Sequence, residues 1–353
     1  MKRYALLLAL VFVVMLLLPL PAFGILAADK PGGDATSSIP SSASLASSPG
    51  SPASASATTA ASSSSPSASS GGDVFKVLDT DSGKVVEMGE REFVIGTVAS
   101  EMPPTYHSEA LKAQAVASFT YYSAKRKAAR ANPDPNLKGA DFSDVPTSFP
   151  EGYSQEGMKA KWGANYDAYY KKVKDAVDAV FGKRICLGGE PILAAYHAIS
   201  FGTTEDAKVV WDTEYPYLKP VPSPGDKLSP DYQAVVTFTP AQFSEAMAKG
   251  VEGLKLEGDA AGWIGKEVST SSSGSVTKIT VGGKDLSGRT VREALSLRSA
   301  CFTVEYTGGN FCFTVLGYGH GVGMSQYGAD YLARQGSSWQ EILQTYYTGV
   351  TIQ

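Results

Sequence analysis

FVIGTVASEMPPTYHSEALKAQAVASFTYY, Phe93 to Tyr122, is the stretch from which the rest of the chain is read. Its apolar spacing predicts one helix ending near Glu101, a break at Met102-Pro103-Pro104, and a second helix from Ser108 to about Ala131. Val98 and Val94 lie three and seven residues before Glu101, so all three side chains share one helical face. A carboxyl set among valines, where the helix dipole is negative, holds its proton more tightly than a free glutamate. That is the environment a general acid working near neutral pH requires. The alternative is an ordinary solvated glutamate in a last helical turn.

Around this stretch the pattern is hairpins mixed with helices. VFKVLD (Val74–Asp79) and KVVEM (Lys84–Met88) read as an opening hairpin. The second helix carries Leu111, Ala115, Ser118, Phe119 and Tyr122 on its core stripe, with Lys125, Arg126 and Lys127 at an exposed basic end. From Asn132 to Gly163 runs a Pro-rich loop containing Phe142, Phe149, Tyr153 and Trp162. Its aromatic rings either meet the apolar faces of sugars or pin the loop to the core. A helix from Tyr166 to Phe181 follows, then a hairpin whose second strand runs from Pro191 to Ile199. Thr239 with Pro240 and Gln242, and Ser338 with Glu341, are helix-capping sets. Without regular βαβ alternation the fold class is α+β, with a groove, as a single large domain or two intimate lobes.

Residues 73–353, about 280, are enough for a sizeable core. Before them, Lys2 and Arg3 precede an apolar run from Tyr4 to Leu20 that extends past Pro19 and Pro21 to Ala28. Residues 1–28 are read as a retained signal-anchor with the remainder extracytoplasmic, in place of a cleaved signal. Residues 29–72 are mostly Ser, Ala, Pro, Thr and Gly, with Asp34 the only charge after Lys30. This composition predicts a disordered tether with ends roughly 35 Å apart. The net charge of −4 and pI near 5.5 argue against nucleic acid as a partner.

Three cysteines, Cys186, Cys301 and Cys312, leave at least one thiol unpaired within the chain. A Gly308-Gly309 turn sets Cys312 opposite Glu305, too far from Cys301 to bridge. Gly319, Gly321 and Gly323 flank His320 and Val322 in a loop able to approach a ligand closely and form a groove floor. It lacks the Lys of a phosphate-binding loop. A Ser/His/acid hydrolase built from Ser200, His197 and Asp206 or Glu205 has no GxSxG elbow. His107 reads as a surface residue, and no HExxH or CxxC spacing is present.

YHAISFGTTEDAKVVWDTEYPYL (Tyr196–Leu218) and GYGHGVGMSQYGADYLARQGSSWQEILQTYYTGVTI (Gly317–Ile352), after an EMP and EALKAQAVA opening, resemble the stage II sporulation protein D and LytB-type amidase-enhancer family. The resemblance covers roughly Val74 to Gln353. It implies a lytic transglycosylase acting on peptidoglycan glycan strands stripped of stem peptides, with Glu101, in the EMP motif, as the catalytic residue. His197, Ser200, His320, Ser325 and Gln326 are the expected substrate contacts. Some members of that family hold zinc through a His and nearby cysteines. His197 matches the His but Thr203, Thr204 and Glu205 stand where a cysteine would follow, so no metal and no cofactor are expected. Phe119 replaces an Arg of the family's helix, and Phe201 stands where a small residue is usual. The resemblance further implies an amidase of the stage II protein P type and a membrane protein of the stage II protein M type as partners. It places the chain in the cell membrane at the forespore septum during engulfment. The competing reading is a non-catalytic wall-binding enhancer of an amidase, which would tolerate loss of Glu101.

Overall fold

The computed structural model describes residues 73–143, 145 and 149–353 of the 353-residue chain. The expected anchor (1–28) and tether (29–72) lie outside them. Among the described residues no helix is long and apolar enough to cross a membrane.

β1 (Val74–Leu78) and β2 (Val85–Gly89) pair antiparallel. Their turn is held by Asp79, whose carboxylate accepts from the backbone N–H groups of Asp81 and Ser82. α1 (Glu90–Glu101) buries Phe93, Val94, Ile95, Val98 and Ala99. A helix apolar on so many sides belongs inside a core. It stops at Met102, whose backbone is extended because prolines follow. α2 (Ser108–Ala131) then runs through the middle of the first lobe. His107 is exposed and caps it, accepting from the Glu109 N–H at 3.3 Å. The basic end is less exposed than the sequence suggests. Arg126 turns back to pair with Glu90 and lies 4.7 Å from the centre of the Phe75 ring. Phe119 is buried against Phe75, with the Arg184 guanidinium 4.6 Å from its ring centre.

α3 (Gln155–Trp162) and α4 (Tyr166–Val180) follow the Pro-rich loop. Phe142, Phe149, Tyr153 and Trp162 are all buried, and the first three pack with Phe93. Of the two readings offered for these aromatics, pinning the loop to the core is the one the structure adopts. β3 (Ile185–Leu187) and β4 (Glu190–Pro191) form a hairpin extended by the C-terminal β13 (Thr351–Ile352). The strand expected from Pro191 to Ile199 is broken. Only β4 and β5 (Tyr196–His197) remain, because the Ala195 carbonyl between them serves Met324 N and the Tyr347 hydroxyl instead of a ladder.

α5 (Ala207–Trp211) leads to the second lobe. There β6 (Gln233–Phe238) lies beside the hairpin of β10 (Phe302–Thr307) and β11 (Asn310–Leu316). β7 (Ile264–Thr270), β8 (Val276–Val281) and β9 (Lys284–Leu286) form a second antiparallel sheet. α6 (Pro240–Gly250) and α7 (Gly288–Leu295) complete a separate core around Phe243, Phe311, Phe313 and Ile279. Cys312 is registered opposite Glu305, and all three thiols are free. β12 (Met324–Ser325), α8 (Gln326–Arg334) and α9 (Trp339–Tyr346) return the chain to the first lobe. Antiparallel sheets mixed with helices make this an α+β fold. Residues 73–353 fall within one compact unit containing two large hydrophobic cores and a small cluster of Ala198, Ile199 and Tyr318.

Both expected capping boxes form, at Thr239/Gln242 and Ser338/Glu341. Ser338→Ala removes the hydroxyl bonded to the Glu341 N–H and carboxylate. It is expected to cost about 1 kcal/mol, read as a lower urea midpoint at unchanged slope.

Candidate active site

Glu101 is placed by what ends α1. The Met102 N–H still bonds the Val98 carbonyl, and the Met102 side chain is buried, so the preceding turn cannot fray. Val94 and Val98 are buried on its face, as the spacing requires, and Glu101 itself is half-buried. Opposite it, the short parallel pairing of β12 with β5 sets Ser325 beside His197 and starts α8 at Gln326. The Gln326 amide donates to Glu101 Oε2 at 3.2 Å and to Gln114 Oε1, on α2, at 3.4 Å. Lys161, at the end of α3, donates to the Ala99 carbonyl at 2.9 Å, inside the last turn of α1.

Burial pushes the Glu101 carboxyl up to about 7; the Gln326 hydrogen bond and the Lys161 charge pull the other way. Burial outweighs both, which makes it a carboxyl that exchanges its proton near neutrality. Burial also lifts the phenols of Tyr153 and Tyr196 well above their usual range, and the Glu101 charge adds to this. Both tyrosines therefore stay neutral beside it. Burial lowers Lys161, while Glu101 supports its charge.

The other expected contacts divide into two groups. His197 and His320 lie with ring centres 5.7 Å apart, and Trp211 is 5.2 Å from His320. His197 Nδ1 donates to the Val322 carbonyl at 3.0 Å, and the Val322 N–H donates to His320 Nδ1 at 3.0 Å. Burial depresses His197 to about 4 and His320 well below its ordinary value, so both are neutral at pH 7. His197 Nε2 is enclosed and has no hydrogen-bond partner. Strand alternation sends Tyr196 toward Tyr121 and the Glu101 side, and His197 toward His320.

Ser200 and Ser325 meet at Asp226, a buried carboxylate. It accepts from the Ser200 hydroxyl, from Ser200 N at 3.1 Å and from the Ser325 hydroxyl at 2.7 Å. The Ser325 oxygen also caps α8 through Gly328 N. The two serines thus hold loops in place, and Ser200 makes no dyad with His197. That removes the basis of the Ser/His hydrolase reading.

The glycine loop is close-packed, but against its own chain. A Cβ on Gly323, at φ +72°, would lie 2.0 Å from the Ala195 carbonyl; one on Gly319, at φ +110°, would lie 2.8 Å from His197 Cβ. The glycines let the loop seat on β5, where the sequence had suggested a floor open to ligand. Among the described residues no group of three His, Cys, Asp or Glu side chains is placed to hold a metal ion.

Three residues of this site escaped the sequence reading. Gln114 carried a signal, a polar residue within the alanine-rich core stripe of α2, buried like its neighbours. Asp226 and Lys161 carried none, since only the folded chain brings them to Ser325 and Ala99.

The Stage II sporulation protein family model matches residues 79–186, a span that holds Glu101, Gln114 and Lys161. Stage II sporulation protein D of Bacillus subtilis (strain 168) is 40% identical over 276 residues, 78% of this chain and 78% of the relative. The protein of the same name from Bacillus amyloliquefaciens is 38% identical, over 78% of this chain and 77% of its own length. An amidase enhancer of Bacillus subtilis (strain 168) is 29% identical over 73% of this chain but 40% of its own length. With near-equal coverage of both chains at 40% identity, the chain belongs to the stage II sporulation protein D family.

Proposed function

We propose that this chain is a lytic transglycosylase that cuts the bond between N-acetylmuramic acid and N-acetylglucosamine in denuded glycan strands. The observation that carries the reading is Glu101, half-buried, held by one amide donor and poised at about 7. As the acid it protonates the glycosidic oxygen, the C1–O bond breaks, and an oxocarbenium-like muramyl centre forms. The resulting carboxylate takes the proton of the muramyl C6 hydroxyl as that oxygen attacks C1, closing a 1,6-anhydro ring. Glu101 ends protonated, as it began, and no water is consumed. A hydrolase would need a second carboxylate for water or for a covalent intermediate. Here the charge facing Glu101 is the Lys161 ammonium, suited to stabilising the carboxylate left after proton donation.

Of the five expected sugar contacts, Gln326 is the one bonded to Glu101. The histidine pair and the two serines support the loops around it. In this reading the chain acts in sporulation, on septal peptidoglycan during engulfment, anchored by its N-terminal segment in the membrane. It works beside an amidase of the stage II protein P type, which supplies denuded strands, and a membrane protein of the stage II protein M type.

The test is incubation of the purified chain with denuded glycan strands and mass spectrometry of the products. Anhydro-muramyl ends are expected; their absence from the wild-type reaction would leave the amidase-enhancer reading in their place. The pH profile follows from the same carboxyl. Proton donation needs Glu101 protonated, so kcat/KM should fall about tenfold per pH unit above about 7. No acid limb arises from Glu101, because the base of the second half-step is made by the first.

A further inference from the structure

A carboxyl that gives away a proton must carry it on the oxygen facing the substrate, and the surroundings of Glu101 hold the means to choose. Gln326 has two amide hydrogens. One goes to Glu101 Oε2 and the other to Gln114 Oε1, at 3.2 and 3.4 Å. Gln114 is in turn held by its own amide, which donates to Ser118 Oγ at 3.0 Å, one helical turn further along α2. Gln114 and Ser118 are fully buried on α2, and Gln326 is 4% exposed, so water does not compete for these bonds. The donors run in one direction, from Gln326 to Gln114 to Ser118, with the other Gln326 hydrogen given to Glu101. If Gln326 turned its amide over, its oxygen would face both Glu101 Oε2 and Gln114 Oε1, and two buried acceptors would oppose each other.

We propose that Gln114 is a positioning residue for the transferable proton: by accepting from Gln326 it fixes that amide as a donor to Glu101 Oε2, leaving Oε1 to carry the proton. An oxygen that already accepts an N–H is the poorer site for a proton, so the acid form settles with Oε2 as carbonyl and Oε1 as hydroxyl. After donation the same N–H stabilises the carboxylate. This rests on the reading of Glu101 as the acid. The other groups facing Glu101 are Lys161 from α3, Tyr153 from the turn before it, and Tyr196 from β5. Among the described residues, the Gln326 amide donates to Glu101 and Gln114 and to none of these three.

The test pairs turnover with direct titration of the carboxyl. Glu101 is followed by carbon-detected NMR in protein labelled at the glutamate carboxyl carbon, its signal assigned by its loss in Glu101→Gln. In Gln114→Met, close in volume but unable to accept, kcat is expected to fall about 10- to 100-fold with KM within about twofold. The Glu101 titration should move up by about half a pH unit or more, since a hydrogen bond that lowers it is loosened. Gln114→Glu should restore both at pH 6. A buried neutral acid has a carbonyl to accept from Gln326 and a hydroxyl to donate to Ser118, and a merely structural role would not be rescued by it. Should Gln114→Met fail to fold, Ser118→Ala removes the anchor of Gln114 and must shift the titration in the same direction. The proposal is overturned if Gln114→Met, or Ser118→Ala in its place, leaves the Glu101 titration at its wild-type position while Gln326→Leu moves it. If Glu101→Gln retained wild-type turnover, the reading of Glu101 as the acid would fail instead, and the titration would still decide the role of Gln114.

Discussion

Glu101→Gln is expected to reduce release of anhydro-muramyl products by about 10²–10⁴-fold in kcat/KM, the range a single general acid contributes. Glutamine fills the same volume and can still accept from Gln326, so the loops around it should be undisturbed. What is lost is the proton. Stability should change in the opposite sense, and only at high pH. The Glu101 carboxyl in the folded chain stands at about 7, above the ordinary 4.5. A group raised in this way contributes stability that is fully present below pH 4.5 and is lost as pH rises through about 7. At about 1.4 kcal/mol per pH unit that interval corresponds to up to about 3 kcal/mol, and partial exposure reduces it to about 1–2 kcal/mol. Denaturant melts should therefore show the variant gaining on wild type at pH 8 and matching it near pH 4.5. A variant that kept full product release would remove Glu101 from the mechanism. One that lost release and melted earlier at every pH would point to damaged packing.

The parts of the molecule legible in the sequence are those whose causes are local. α2 runs from Ser108 to Ala131, as its spacing requires, and the caps at Thr239 and Ser338 close as boxes because each is a contact across three residues. The register of Cys312 opposite Glu305 follows from a two-glycine turn. Val94 and Val98 share the buried face of Glu101 for the same reason, one helical period. The rest depends on contacts far apart in the chain. Gln326 reaches Glu101 across 225 positions, and Ser325 reaches Asp226 across 99. No periodicity encodes such meetings. His197, Ser200 and Ser325 were legible as polar residues in suggestive places. Whether a polar side chain in such a place faces a ligand or a neighbouring loop is decided by the fold, and here both serines bind Asp226 while His197 bonds Val322. The loop aromatics and the glycines went the same way: motifs that suit a sugar also suit the chain's own backbone.

Asp226→Ala is expected to be the most destabilising single change near the site, at about 3–5 kcal/mol, because it strands several buried donors at once. The hydroxyls of Ser200 and Ser325 and the Ser200 N–H all point at this carboxylate, and none is exposed enough to turn to water. Asp226→Asn should cost less, about 1–2 kcal/mol. One amide oxygen still accepts, and the amide hydrogens can be met by a serine oxygen once its hydroxyl rotates. The order Ala worse than Asn worse than wild type, read from urea midpoints, tests this directly; equal losses in the two variants would mean that shape rather than hydrogen bonding is at stake. The two variants also bear on catalysis through one route. Ser325 caps α8 through Gly328 N, and the next residue, Gln326, holds Glu101. Releasing Ser325 from Asp226 frees the first turn of α8, and with it the amide that steadies the acid. Asp226→Asn should thus lower kcat more than it raises KM even at temperatures where the chain stays folded. If turnover per folded molecule were unchanged, the carboxylate would serve the Ser200 loop alone, and the link from Asp226 through α8 to Glu101 would be cut.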